Sequence, residues 1–98
     1  MSNMSDAELL LRERHQTDAD AFAEIKIWRV PSSVRGSAHS YKYSLAYVVD
    51  GQCVLRFDNE AGKGDHFHRL DTDRAYRFIT IEKLVADFWA AIDQWRSK

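Results

Sequence analysis

Two runs of alternating side chains, Tyr41–Val49 and Gln52–Asp58, are separated by nothing but Asp50-Gly51. No other stretch constrains the fold as strongly. Asp-Gly supplies the positive φ that a two-residue type I′ turn needs at both central positions, so the junction predicts a β-hairpin. Such a turn sets Val49 opposite Gln52, Tyr47 opposite Val54, Leu45 opposite Arg56 and Tyr43 opposite Asp58. Alternation along each strand then predicts two faces. One carries Tyr43, Leu45, Tyr47, Val54, Arg56 and Asp58 and is expected to be the half-exposed, working face. The other carries Ser44, Ala46, Val48, Cys53, Leu55 and Phe57 and suits a packed helix. Taken alone, Arg56 and Asp58 also read as a surface charge pair beside ordinary strand aromatics.

Around the hairpin the pattern is mostly strand. Ala7–His15 is ambiguous between helix and strand, and the strand is favoured because the next run pairs with it naturally. Gln16–Asp20 carries turn chemistry. Ala21–Val30 alternates, with Ile25 and Ile27 to one side and Glu24, Lys26 and Trp28 to the other, and Pro31 ends it. Residues 31–40 form a serine-rich loop in which His39 reads as solvated. Residues 60–65 form a loop with two glycines. His66–Leu70 is strand-like, residues 71–75 read as a polar turn, and Tyr76–Phe78 as a short last strand. Thr80 is an N-cap candidate, with Glu82 in the first turn behind it. Ile81, Leu84, Val85, Phe88, Ile92 and Trp95 then fall on one helical stripe, broadened by Trp89, while Lys83 and Asp87 point outward. The expected fold class is α+β: a small antiparallel sheet with one C-terminal amphipathic helix packed on one face.

With 98 residues, the chain is read as a single domain over residues 1–98, frayed at residues 1–6. Its net charge of −1 argues against holding nucleic acid by bulk electrostatics, though not against a local basic site. Cys53 is the only cysteine, which excludes an internal disulfide and an all-cysteine zinc site; it is expected in the core. No apolar run approaches the ~20 residues of a membrane span. No basic-then-apolar leader opens the chain. These features suit a cytoplasmic protein with no membrane partner.

Reactive side chains concentrate between Arg56 and His68. Three uses compete. In the first, His66 and His68 perform acid–base chemistry, Arg56 and Lys63 act as electrophilic groups, and Asp58 or Asp65 orients an imidazole. Neutral-pH proton transfer favours histidine. An RNA phosphodiester brings its own 2′-hydroxyl nucleophile, so a base, an acid and a cation suffice, without metal or cofactor. In the second use, His66 and His68 ligate a metal with Asp58 or Asp65 as third donor. In the third, the cluster is structural. The Gly62-Lys63-Gly64 run lacks P-loop spacing, but two close glycines allow backbone amides to face an anion.

From Ile27 to Trp95 the chain resembles the TumE family of small bacterial toxin–antitoxin proteins. The resemblance rests on an ordered set of motifs. Trp28-Arg29-Val30-Pro31 is followed by Tyr41-Lys42-Tyr43-Ser44-Leu45 and Arg56-Phe57-Asp58-Asn59-Glu60. Gly62-Lys63-Gly64-Asp65-His66-Phe67-His68, Tyr76-Arg77-Phe78 and Asp87-Phe88-Trp89 complete it. It implies a toxin held inactive by a co-encoded antitoxin, usually a helix-turn-helix DNA-binding protein. Asp58, Asn59, Lys63, Gly64, His66 and His68 fall in the family's most recognisable stretch. RNA cleavage is implied by analogy with other small toxins. The combined expectation is a toxin with His66, His68, Asp58 and Arg56 as catalytic groups, and Lys63, Gly64, Asn59, Tyr43 and Asp65 against the RNA. An antitoxin, or a second copy of the chain, is expected over the face bearing Tyr43, Tyr47 and Arg56. The alternative is a non-catalytic module that binds a protein or a small anion.

Overall fold

The computed structural model describes residues 6–59 and 62–97. Apart from Asp6, the expected frayed start lies outside the described residues, as do Glu60 and Ala61 of the glycine loop.

Six strands form one antiparallel sheet in chain order: β1 (Glu8–Asp18), β2 (Ala21–Arg29), β3 (Tyr41–Val49), β4 (Gln52–Asp58), β5 (His66–Arg69) and β6 (Thr72–Ala75). Among the described residues one helix, α1 (Ile81–Arg96), packs on one face. The α+β expectation holds. Asp50 (φ 51°) and Gly51 (φ 78°) both take positive φ, as the Asp-Gly turn requires. Ala23, Ile25 and Ile27 are buried on the helix side of β2, and Thr80 caps α1 by accepting from the Lys83 amide. Leu84, Phe88 and Ile92 form its buried stripe.

The hairpin register departs from the expected one. Val49 pairs with Gln52 and Val48 with Cys53, but Tyr47 then pairs with Leu55 and Leu45 with Phe57. Val54 is the extra residue of a β-bulge, and its carbonyl accepts from the Leu70 amide at 2.9 Å. Beyond a one-residue slip every side chain changes face. The expected face assignment is therefore corrected. Tyr43, Leu45, Tyr47, Leu55 and Phe57 all lie buried in the core, whereas Ser44, Ala46, Arg56 and Asp58 share the open face. The physical reason is burial. An unbulged hairpin would split its large apolar side chains between two faces, with a helix to cover only one. The bulge gathers them under α1. Cys53, expected in the core, is exposed.

Other boundaries shift for related reasons. β1 runs on to Asp18, leaving only residues 19–20 for the turn. Residues 72–75, read as turn, form β6: an all-exposed polar edge strand has no apolar period to reveal it. The turn is Leu70-Asp71, with Leu70 at φ 55°. Residues 76–80 are an extended link to α1, not a strand.

Asp87, expected to point idly outward, ties that link to the helix. Its carboxylate accepts from the Tyr76 hydroxyl (2.6 Å) and from Lys83 Nζ (2.7 Å). Asp87→Ala is accordingly expected to cost roughly 1–2 kcal/mol in denaturant unfolding, since hydrogen bonds to a charged group exceed the ordinary surface effect. A loss within the noise of the measurement would show that the link is held by packing alone.

Candidate active site on the open sheet face

The open face is built by strand pairing. On β4–β5, Arg56 pairs with His68, Asp58 with His66, and Phe57 with Phe67. On β5–β6, His68 pairs with Asp73. Side chains alternate, so His66 and His68 rise together beside Arg56, Asp58 and Asp73. Phe67 points the other way and packs on Phe57 at 4.5 Å between centroids. The expected juxtaposition of the two histidines with Arg56 and Asp58 is thus present in the sheet.

The two imidazoles differ in their surroundings. His66 Nδ1 lies 2.8 Å from Asp73 Oδ1, and Nε2 lies 2.6 Å from the Lys63 carbonyl oxygen. Both neighbours are acceptors, so only the doubly protonated ring satisfies them. The Asp73 carboxylate first, and then the Lys63 carbonyl, raise the His66 pKa above the ordinary 6.5. His68 stands between two carboxylates, 3.7 Å from Asp58 Oδ1 and 3.6 Å from Asp73 Oδ1. Those distances are too long for hydrogen bonds, so the ring can turn toward a substrate. The two rings stack with centroids 6.0 Å apart. Arg56 Nε is buried 3.2 Å from Asp58 Oδ2 without an aligned hydrogen bond, which fixes the side chain by charge.

His66, His68 and Asp73 bring three donor atoms within 4.8 Å of one another, a spacing that could hold a divalent ion. Asp73 takes the place that the sequence reading gave to Asp58 or Asp65 as third donor. An ion there would take His66 Nδ1 and Asp73 in place of the proton they share, with Nε2–H still on the Lys63 carbonyl, so the geometry accommodates either a proton or an ion.

The residues expected against a substrate divide. The Lys63 carbonyl belongs to the cluster through His66. Gly64 (φ 77°) lies against Gly36 (φ 96°), where a Cβ on Gly64 would stand 2.8 Å from the Gly36 oxygen. Close packing of the loops at 31–40 and 62–65 therefore accounts for this glycine. Tyr43, Asn59 and Asp65 lie inside the fold. Asn59 is 1% exposed; it accepts from the Tyr43 amide and donates to the Tyr41 carbonyl, continuing the β3–β4 pairing past the end of β4. The Asp65 carboxylate accepts from Ser37 Oγ (2.7 Å), His39 Nε2 (2.7 Å) and the Tyr43 hydroxyl (2.6 Å). Burial pushes its carboxyl up, but these three hydrogen bonds together hold it below the ordinary carboxylate value. Burial, and then the bond to Asp65, push the Tyr43 phenol well up.

His39 is thus no solvated loop residue. Its ring stacks on Phe78 at 3.9 Å, and the Tyr41 amide donates to its Nδ1. The sequence reading also missed Asp73. Counting two residues outward along each strand from a tight turn at Leu70-Asp71 would have placed it opposite His68.

Adjoining cavities of about 360 and 470 Å³ lie on the side opposite the histidine cluster, between α1 and β5–β6, lined in common by Phe67, Arg74, Ala91 and Gln94. An acid–base cluster on an open sheet suits a large, extended ligand better than a small one.

The architecture defines a small α+β domain with His66, His68, Arg56, Asp58 and Asp73 clustered on the uncovered face of a meander. The chain belongs to the TumE toxin family: the family model, described as Toxin TumE, matches residues 6–96. No curated protein and no solved structure matches it. Membership implies an antitoxin partner. Among the described residues, no helix is long and apolar enough to cross a membrane.

Proposed function

We propose that the chain is the toxin of a two-protein toxin–antitoxin system and that it cleaves RNA by metal-independent acid–base catalysis at His66 and His68. The observation that carries this reading is the difference between the two imidazoles, one held as a cation and one left to turn. In the proposed reaction His68 takes the proton from the substrate 2′-hydroxyl. The 2′-oxygen attacks the adjacent phosphorus, and the bond to the 5′-oxygen breaks. His66 exchanges the Lys63 carbonyl for that leaving oxygen and donates its Nε2 proton to it, while Asp73 keeps hold of Nδ1–H. The products are a 2′,3′-cyclic phosphate and a free 5′-hydroxyl. Arg56 lies beside the phosphate and balances the charge that builds on its oxygens. Asp73 and Asp58 orient the rings. The antitoxin is proposed to be a helix-turn-helix protein encoded beside the toxin.

Purified protein incubated with cellular RNA tests this directly. The expected fragments carry cyclic phosphate and 5′-hydroxyl ends, and a chelator leaves the rate unchanged. Fragments with 5′-phosphate ends, or activity lost in chelator and restored by one divalent ion, would overturn the mechanism and make His66, His68 and Asp73 ligands. Induced expression should arrest growth, and co-expression of the neighbouring gene should relieve the arrest.

A further inference from the structure

We infer that the open face of β1–β3 is a binding track for single-stranded RNA, which lies along β3 and presents its phosphate to the histidine cluster. This rests on the ribonuclease reading and names the form of its substrate.

The track follows from the register. On β3, Ser44 and Ala46 face outward between larger neighbours: Lys26 and Glu24 on β2, Asp58 and Arg56 on β4. Two small side chains flanked by long ones leave a trough over the middle of the sheet. From Lys42 to Val48 it runs about 20 Å at ~3.4 Å per residue. Aromatic rings stand at both ends of its β2 wall, since Trp28 pairs with Lys42 and Phe22 with Val48. Both rings are half-buried and keep an outer surface. The Arg14 guanidinium lies over the Phe22 ring at 3.7 Å, a flat cationic platform of the kind on which bases stack.

Charge points the same way. Arg12 pairs with Lys26 across β1–β2, so Arg12, Lys26 and Lys42 gather on this face although the whole chain is net −1. Glu24 is neutralised by Lys26 at 3.5 Å and Asp58 by Arg56 at 3.2 Å. Neither Arg12 nor Lys42 has a carboxylate partner among the described residues. These are the local cations that a polyanion needs and that the composition conceals.

A single strand fits better than a duplex. Stacking on Trp28 and on the Arg14 guanidinium over Phe22 requires exposed base faces, and attack by the 2′-oxygen in line with the leaving group requires a backbone free of A-form geometry.

Full-length protein is titrated with an oligouridylate of about twelve nucleotides, 2′-O-methylated so that it binds but cannot be cleaved, and read by tryptophan emission and anisotropy over a salt series. The paired variant Arg12→Gln, Lys42→Gln changes residues of β1 and β3 that pair with neither histidine. It is expected to bind roughly tenfold more weakly, with a salt slope shallower by about 1.4, the share of two phosphate contacts on a single strand. Its cleavage of a dinucleotide, which reaches only the cluster, should match wild type. Binding with this dependence supports the track even if no RNA is ever cleaved, an outcome that would sink the ribonuclease reading alone. An unchanged affinity and salt slope in the variant overturns the track, as does equal competition by an RNA duplex. Loss of antitoxin binding with RNA binding intact also overturns it, assigning the face to the protein partner.

Discussion

His68→Ala is expected to lower the rate of RNA cleavage by about 10²–10⁴, the usual cost of removing one acid–base group, while leaving the unfolding midpoint close to wild type. The side chain rises from the open face of a four-residue strand and makes no hydrogen bond to the carboxylates beside it. Its removal therefore leaves no buried partner unsatisfied. Toxicity on induction should disappear with the activity. His66→Ala should cost a similar factor, but its effect should depend on pH in a distinct way. An acid works only while protonated, and the Asp73 carboxylate and Lys63 carbonyl raise the His66 pKa above the ordinary 6.5. The alkaline limb of the pH–rate profile should thus lie above the ordinary histidine range. Asp73→Asn removes the largest cause of that shift, so the limb should move toward lower pH. A limb that stays in place would deny His66 the role of acid. Full activity in both histidine variants would remove the catalytic reading and leave a binding module.

Much of this arrangement is legible in local sequence because the forces that set it are local. Asp50-Gly51 names its turn, and the stripe Leu84, Phe88, Ile92 names the buried side of α1. His66-Phe67-His68 places two imidazoles on one side of a strand whatever that strand pairs with. Legibility ends where a tertiary demand overrides a local period. Cys53-Val54-Leu55 is continuously apolar, so its phase can be set either way. Only the need to bury Tyr43, Leu45, Tyr47, Leu55 and Phe57 under one helix decides for a bulge at Val54. That single residue moves Arg56 and Asp58 to the side opposite the tyrosines, and with them the expected partner face. Asp73 was hidden because an exposed edge strand carries no apolar signal. His39 was hidden because its partner, Asp65, lies 26 residues away, on a loop that meets its own through two glycines. A motif of polar residues shows that chemistry or capping is present; which of them face solvent is settled by the sheet.

Asp65 tests that division most sharply. It sits beside His66 in sequence, in the stretch richest in reactive groups, yet its carboxylate is only 11% exposed and is taken up by Ser37, His39 and Tyr43. Its main-chain carbonyl accepts from the Tyr76 amide. It therefore fastens the loop at 31–40 to the start of β5, and so aims His66. Asp65→Ala strands one buried and two half-buried donors at once, and about 3–5 kcal/mol of stability should be lost in denaturant unfolding, as when one member of a buried charged network is removed. Tyr43→Phe removes one donor without stranding another donor, and should cost less, roughly 1.5–3 kcal/mol. The pH dependence has a defined sign. Hydrogen bonds hold the folded Asp65 pKa below its ordinary 3.8, so the stabilisation is complete above that value and is lost as pH falls through the folded pKa. The gap in stability between wild type and Asp65→Ala should accordingly be widest near neutrality and narrow below pH 3.8. Tyr43→Phe, once folded, should cleave RNA at the wild-type rate. A raised KM with unchanged stability would instead return Tyr43 and Asp65 to the substrate, and a gap that widens in acid would show the carboxylate to be destabilised, rather than anchored, where it lies.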